Sequence, residues 1–384
     1  MKIGIMTMWN AIDNYGGILQ TYALQRYLRD LGYDAYDIRF VNVADKNVQL
    51  KLLIKLVLNI LHLHIRDVDR AEYYAKKRKF KEFSKRHINL SELKYCTLSE
   101  LQNNPPLADV YITGSDQVWA RSLKKSKNER AWYLDFGSET TKRIAYAVSF
   151  GHNYFPVEDD FLFKKLVSKF SKVSAREING VRFCVERGIK AERCIDSTFL
   201  LSAEHYMKIA TKRKYQFSYA YLYLLNVETP QEIFFETVIK EIKKRSLKAI
   251  CTTASGYIPA REIYENVEYD YSTVEGWLSN ILYSNIVFTT SFHGVVFSLL
   301  FRKQFVYLPL QAKGAGNDRV IDLLNSVNLL NRIATENNIS ILLSKPILYE
   351  ELDMSTINLM IESSKEFLNK ALVNHVEKTV NKNL

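Results

Sequence analysis

An α/β fold is what this sequence predicts, and three observations carry the prediction. Strand-like runs alternate with helical patterns in two cycles of similar size, joined near residues 201–217. The chain has 384 residues, 47% of them hydrophobic, enough for two cores at roughly 100–200 residues per domain. With 14 glycines and 7 prolines, low-complexity, collagen-like and linker-dominated architectures are excluded. The expectation is therefore two Rossmann-like domains facing each other across a cleft. The first spans residues 1–200 with a helical insertion at 41–107, the second spans 201–345, and a helical segment at 346–384 packs back across both.

The elements follow in order. Lys2–Met8 has a strand's composition, residues 14–30 carry apolar side chains at helical spacing, Gly32 stops that helix, and Tyr33–Phe40 is a second strand. This is a β-loop-α-β unit with parallel strands, whose βα loop lies at the carboxyl end of the sheet, where helix N-termini offer unpaired N–H groups to anions. Between 41 and 107 the rhythm lapses. Val48–Ile65 is nearly continuously apolar, broken by Lys51, Lys55, Asn59, His62 and His64, and Lys76, Lys77, Arg78, Lys79, Lys81, Lys85 and Arg86 follow. Interior lysines argue against a spanning helix. Two readings stand side by side: a buried helix followed by a solvated basic one, or an interfacial segment, residues 48–86, resting on anionic membrane.

After Pro105-Pro106 the alternation resumes with strands at Ala108–Thr113, Ile144–Phe150, Lys172–Ala175 and Arg193–Asp196. Helices are expected at Asp159–Phe170 and Ile178–Arg187, the latter capped by Gly188. The second cycle has strands at Tyr219–Leu225, Lys248–Thr252, Asn285–Thr290 and Phe305–Leu308. Its helices are Pro230–Arg245, Val274–Tyr283, Phe292–Phe301 and Asn317–Val327.

Composition narrows the chemistry. Fifty-three basic against 42 acidic side chains leave a net charge of +11, but the excess gathers beside the apolar run and no nucleic-acid-binding module is recognisable, so nucleic acid is not an expected partner. Cys96, Cys184, Cys194 and Cys251 form no CxxC pair, His62 and His64 fall on different helix faces, and no HExxH occurs, so no metal site is expected. The opening residues lack the layout of a signal peptide, and a reducing cytoplasm is the expected compartment.

Three segments place small and polar residues where a strand yields to a helix: Asn14-Tyr15-Gly16-Gly17, Gly114-Ser115-Asp116 and Thr289-Thr290-Ser291-Phe292-His293-Gly294. Glycine there lets backbone amides close on an anion, with the helix dipole adding to the attraction. The competing reading is ordinary N-cap chemistry by Asn14, Asp116 and Ser291. His293 precedes Gly294 and a wholly apolar helix, where it either donates to phosphate and moves a proton or is a helix-start histidine bonded to a carbonyl. Arg176 ends an expected buried strand, where its charge needs a partner: an anionic ligand, or else Glu177 or a carboxylate at the domain packing. The 24 tyrosines and four tryptophans are mostly core, with some free to stack on sugar rings.

Taken in order, Asn14-Tyr-Gly-Gly-Ile-Leu-Gln20, Ile112-Thr-Gly-Ser-Asp-Gln-Val-Trp119, Ser149-Phe-Gly151, Ser174-Ala-Arg-Glu177, Cys194-Ile-Asp-Ser197, Ser291-Phe-His-Gly294 and Asp318-Arg-Val-Ile-Asp-Leu-Leu324 resemble the motif set of the polysaccharide pyruvyl transferase family. The resemblance covers residues 3 to about 327. It implies a GT-B-like fold, phosphoenolpyruvate as donor, and a sugar of a surface polysaccharide or its lipid-linked precursor as acceptor. The product is a pyruvate ketal across two hydroxyls, and no cofactor takes part. By position it implies that Arg176 and His293 bind the donor. Where many members carry arginine two positions before the histidine, this sequence has Ser291, leaving Arg319 or Lys313 to supply that charge.

On this reading His293 is the proton donor, Arg176 holds the carboxylate and Asp116 is the base for an acceptor hydroxyl. Asn14, Gly16, Gly17, Ser115, Ser291 and Gly294 line the cleft. Two alternatives remain: a glycosyltransferase using a nucleotide sugar in the same fold, and a membrane-associated interaction protein without turnover. A lipid-linked acceptor would give the apolar run and its basic neighbours a purpose, docking at the inner face of the cytoplasmic membrane.

Overall fold

The computed structural model describes residues 1–11, 13–42, 76–258, 260–311 and 316–380. The apolar run Val48–Ile65 and Lys313 lie outside the described residues. Among the described residues, no helix is long and apolar enough to cross a membrane.

The first sheet has seven strands: β1 (Lys2–Met6), β2 (Asp34–Phe40), β3 (Leu90–Tyr95), β4 (Val110–Thr113), β5 (Lys142–Val148), β6 (Lys172–Ala175) and β7 (Glu192–Arg193). Their order is β3-β2-β1-β4-β5-β6-β7, with every pairing parallel. The second has five, β8 (Tyr219–Leu225), β9 (Lys248–Ala254), β10 (Glu268–Tyr269), β11 (Ile286–Thr289) and β12 (Phe305–Tyr307), in the order β10-β9-β8-β11-β12, again all parallel. Central strands such as β8 are buried along nearly their whole length, which their unbroken apolar sequence YAYLYLL requires of a sheet covered on both faces. In each sheet the chain reverses its direction of build once, between β1 and β4 and between β8 and β11. At such switch points the flanking loops splay apart and leave a crevice at the carboxyl ends of the strands.

Several elements differ from the sequence expectation. Segment 41–107 is not a purely helical insertion: β3 lies within it and pairs with β2 at the edge of the first sheet, Asp37 opposite Leu90 and Phe40 opposite Tyr95. An edge strand exposes one rim, so Glu92, Leu93 and Lys94 face solvent and no apolar pattern marks it. The helix expected over Pro230–Arg245 is broken at Phe234, whose φ of 56° separates a 3-10 turn, Pro230–Ile233, from the α-helix Phe235–Lys244. At the end of the first domain only Glu192 and Arg193 pair with β6, the Cys194 amide makes a last bond to the Ala175 carbonyl at 3.0 Å, and the chain then leaves the ladder.

The helix Tyr15–Asp30 joins the domains. Asn14 Oδ1 accepts from the Gly17 amide at 3.0 Å to cap its start, and Gly32, at φ +88°, turns the chain after its end. Twelve of its sixteen residues are buried, because it packs on the first sheet and against the helices Val274–Tyr283 and Phe292–Leu300 of the second domain. The Tyr15 ring stacks on Trp277 at 5.4 Å, and its hydroxyl donates to the Ser272 carbonyl at 2.6 Å. One hydrophobic core therefore runs through both domains, from Ile18 and Tyr22 to Tyr223, Trp277 and Phe297. Beside it, Asp13 is ion-paired with the buried Arg78 and accepts from the Ser255 hydroxyl at 2.8 Å. The carboxyl-terminal helix Ser355–Val380 returns to the first domain, burying Phe367, Leu368, Ala371 and Leu372 with Ile3, Ile5 and Ile144.

Candidate active site

The two switch points face one another across a cleft of about 640 Å³, so the loops after β1, β4, β8 and β11 all contribute to its walls. Asn14, Gly17, Asp116, Ser291, His293 and Arg319 line it.

His293 sits in the first turn of the helix Phe292–Leu300, which Ser291 caps by accepting from the Gly294 amide at 3.4 Å. The histidine packs directly against the start of the helix Tyr15–Asp30. A Cβ at Gly16 would lie 2.1 Å from its Nδ1, and one at Gly294 would lie 2.2 Å from Thr289 Oγ1. Both glycines are thus required for close approach of backbone to side chain, and both sit behind the cleft wall instead of lining it. Asn14 and Ser291 border the cleft, but their side-chain oxygens are engaged as helix caps.

Arg176 follows β6 and is almost completely buried among three carboxylates. Its NH1 donates to Asp196 Oδ2 at 2.5 Å, its Nε donates to Glu177 Oε1 at 2.9 Å, and its NH2 stands 3.5 Å from Asp116 Oδ1 with no hydrogen bond of its own. Burial alone would lower its pKa, but Glu177, Asp196 and Asp116 outweigh burial and hold the guanidinium above its ordinary value. Asp196 is the hub. Fully buried, it accepts from the Thr198 amide at 3.0 Å and hydroxyl at 2.7 Å, and His293 Nε2 faces its Oδ1 at 3.7 Å. Burial opposes its ionisation, yet His293, Arg176 and Thr198 together keep its carboxyl far below the usual range.

Sequence reasoning missed Asp196. The available signal was the need of a buried Arg176 for a partner together with Asp196-Ser-Thr198, an Asx-type cap. What is invisible in sequence is that the chain leaving β7 brings this carboxylate beside residue 176.

The Gly114-Ser115-Asp116 turn does not lead into a helix, so Asp116 is not an N-cap. It stands at φ 66°, bridged to Val148 of the neighbouring strand, and its carbonyl accepts from the Ser149 and Val118 amides at 2.9 and 2.8 Å. Ser115 is fully buried with its hydroxyl 3.2 Å from Asp196 Oδ2, so it supports the centre from behind instead of touching the cleft.

Arg319, on the helix Asp318–Asn325, completes the group. Its guanidinium and that of Arg176 both lie over the Phe292 ring, at 5.9 and 4.6 Å. Nε donates to the Gly316 carbonyl at 3.3 Å, but among the described residues Arg319 makes no ion pair. Burial and the like charge of Arg176 push its pKa below the ordinary arginine value, with Asp116 and Glu177 only partly offsetting them. The centre thus combines an imidazole facing a buried carboxylate, a compensated arginine and a second arginine whose charge is left for an anion. Among the described residues no cluster of three or more His, Cys, Asp or Glu side chains is placed to hold a metal ion.

A family model described as polysaccharide pyruvyl transferase matches residues 14–311, which contain every one of these groups except Arg319. The chain belongs to the polysaccharide pyruvyl transferase family. It is therefore a transferase of polysaccharide biosynthesis. Among solved structures, a UDP-N-acetylglucosamine 2-epimerase superposes with a TM-score of 0.50 at 10% identity, covering 98% of this chain and 96% of the other. The Neisseria meningitidis UDP-GlcNAc 2-epimerase, bound to UDP-GlcNAc, gives 0.49 at 8% identity, covering 97% and 100%. At such identity the first of these shows the fold alone, two Rossmann-like domains in the GT-B arrangement. No curated protein matches the chain.

Proposed function

We propose that this pyruvyl transferase uses phosphoenolpyruvate as donor and forms a ketal across two hydroxyls of a sugar in a polysaccharide or its lipid-linked precursor. The observation that carries the reading is Arg319, a partly buried cation lining the cleft with no ion pair among the described residues, near a histidine whose Nε2 faces the buried Asp196 carboxylate at 3.7 Å. A donor with a carboxylate and a phosphate supplies the missing negative charge.

In the first step an acceptor hydroxyl oxygen bonds to C2 while a proton reaches the methylene carbon, which becomes a methyl group. The C2–O bond to phosphate then breaks, the leaving phosphate takes its electron pair, and the second hydroxyl bonds to C2. Of the two hydroxyl protons, one balances the methyl group and the other leaves with phosphate. His293 is the proton carrier for the methylene, with Asp196 orienting its ring and stabilising the imidazolium. Arg319 and the free NH2 of Arg176 hold the donor's anionic groups. Arg176 is otherwise committed to Asp196 and Glu177, so its main part is positioning. Asp116, at the cleft edge beside Arg176, is the base for the attacking hydroxyl.

The test is the thermal midpoint of the purified protein with phosphoenolpyruvate and, separately, with a panel of nucleotide sugars. Stabilisation by phosphoenolpyruvate that is lost in Arg319→Ala is the expected result. Stabilisation by a nucleotide sugar alone overturns the donor assignment in favour of glycosyl transfer.

A further inference from the structure

The proposed chemistry takes Arg319 from the segment Asp318–Leu324 and leaves Asp322 without a part. The two side chains are three residues apart on the helix Asp318–Asn325, so they are neighbours on its surface. Val320, Leu323 and Leu324 form its buried face and pack into the core with Phe292, Val296 and Phe297, which fixes the helix to the second domain. Arg319 and Asp322 are turned toward the first domain. The charges that act on Arg319 most strongly, Arg176, Asp116 and Glu177, belong to that domain, and Asp322 Oδ2 accepts from the Ile178 amide at 3.2 Å.

Ile178 opens the helix Ile178–Val185, whose first N–H groups have no acceptor within it. Glu177 stands in the capping position but makes no side-chain cap bond; its carboxylate is taken by Arg176 Nε at 2.9 Å. Asp322 supplies a cap from the second domain to a helix of the first. Three consecutive residues, Arg176, Glu177 and Ile178, thus meet one helix. The two guanidiniums lie over the Phe292 ring, and one turn beyond Arg319 the carboxylate is bonded to the amide.

This bond opposes a repulsion. Arg176 and Arg319 are like charges, and without an anion they push the two elements apart. A carboxylate one turn from an anion-binding arginine also repels the anion, so on charge alone Asp322 weakens donor binding. We infer, on the phosphoenolpyruvate reading above, that Asp322 is a positioning residue: its bond to Ile178 holds Arg319 at Arg176, so that one arginine from each domain reaches the same donor. Asp322 itself touches neither the donor nor the reacting atoms.

The experiment uses the full chain and two variants, Asp322→Ala and Asp322→Asn. Affinity for phosphoenolpyruvate is measured by calorimetry, and hydrogen exchange is followed in the helices Ile178–Val185 and Asp318–Asn325. Asp322→Ala is expected to lose about fivefold to tenfold in affinity, the range of a lost cap, and to speed exchange at the start of both helices. Asp322→Asn keeps an oxygen that accepts from the Ile178 amide and is expected to stay within about twofold of wild type in both measurements. A carboxylate that acts only through its charge gives the opposite sign, with both variants binding phosphoenolpyruvate as tightly as wild type or more tightly. That result overturns the inference, and so does an equal loss of affinity in the two variants. Failure of phosphoenolpyruvate to bind the wild type overturns the donor reading alone. Hydrogen exchange then decides the bond, and exchange unchanged in Asp322→Ala overturns it.

Discussion

Arg176 and Arg319 share one aromatic ring and little else. Both guanidiniums lie over Phe292, yet Arg176 from the first domain is ringed by Asp196, Glu177 and Asp116, while Arg319 from the second has no ion pair among the described residues. Their pKa values move in opposite directions: the carboxylates around Arg176 outweigh its burial, whereas burial and the neighbouring cation prevail at Arg319. The difference teaches that compensation, not residue type, separates an arginine that holds a site together from one that waits for a ligand.

The largest expected effect comes from removing the compensated member. Arg176→Ala leaves Asp196 and Glu177 buried without their cation and should lower stability by about 3–5 kcal/mol in urea unfolding. A loss below about 1 kcal/mol would erase the distinction between the two arginines. Arg319→Ala should do the reverse. Stability stays within about 0.5 kcal/mol of wild type, since no ion pair is lost, while calorimetric affinity for phosphoenolpyruvate falls roughly tenfold to a hundredfold.

The smallest effect extends the comparison to a carboxylate. Asp37, fully buried on β2, has Gln25 as its side-chain hydrogen-bond donor and no ion pair among the described residues. Burial, only partly offset by Gln25, raises its pKa above the usual carboxylate range. A raised folded pKa means a contribution that is complete below about pH 3.9 and lost as pH rises through the folded value. Asp37→Asn should therefore stabilise the protein by about 1 kcal/mol at pH 7.5 and leave it no more stable at pH 3, read from unfolding midpoints across that range.

Legibility in the sequence followed the range of the interactions. The helix Tyr15–Asp30 could be read locally, because Asn14 caps it, apolar spacing runs along it and Gly32 ends it. The turn at Thr289–Gly294 was equally plain, including the Ser291 cap. β3 was not, since an edge strand with Glu92 and Lys94 exposed has no pattern until β2 lies beside it. Nor was the Gly114–Asp116 turn, whose φ of 66° at Asp116 depends on its bridge to Val148. Ser115, Gly16 and Gly294 belonged to the right segments but face Asp196, His293 and Thr289, each chosen by packing.

By itself the sequence determined the alternation of strand and helix, the two parallel sheets with their glycine-bearing loops, and the presence of His293, Arg176 and Asp116 in those loops, because periodicity, capping and turn chemistry act within a few residues. Only the tertiary structure decided that Asp196 would stand between Arg176 and His293, that Arg319 would share Phe292 yet make no ion pair among the described residues, and that Trp9 and Trp132 from separate segments would line one cleft. Those outcomes depend on which chain segments the packing of two sheets around one helix brings together. A buried charge takes its character from its neighbours in space.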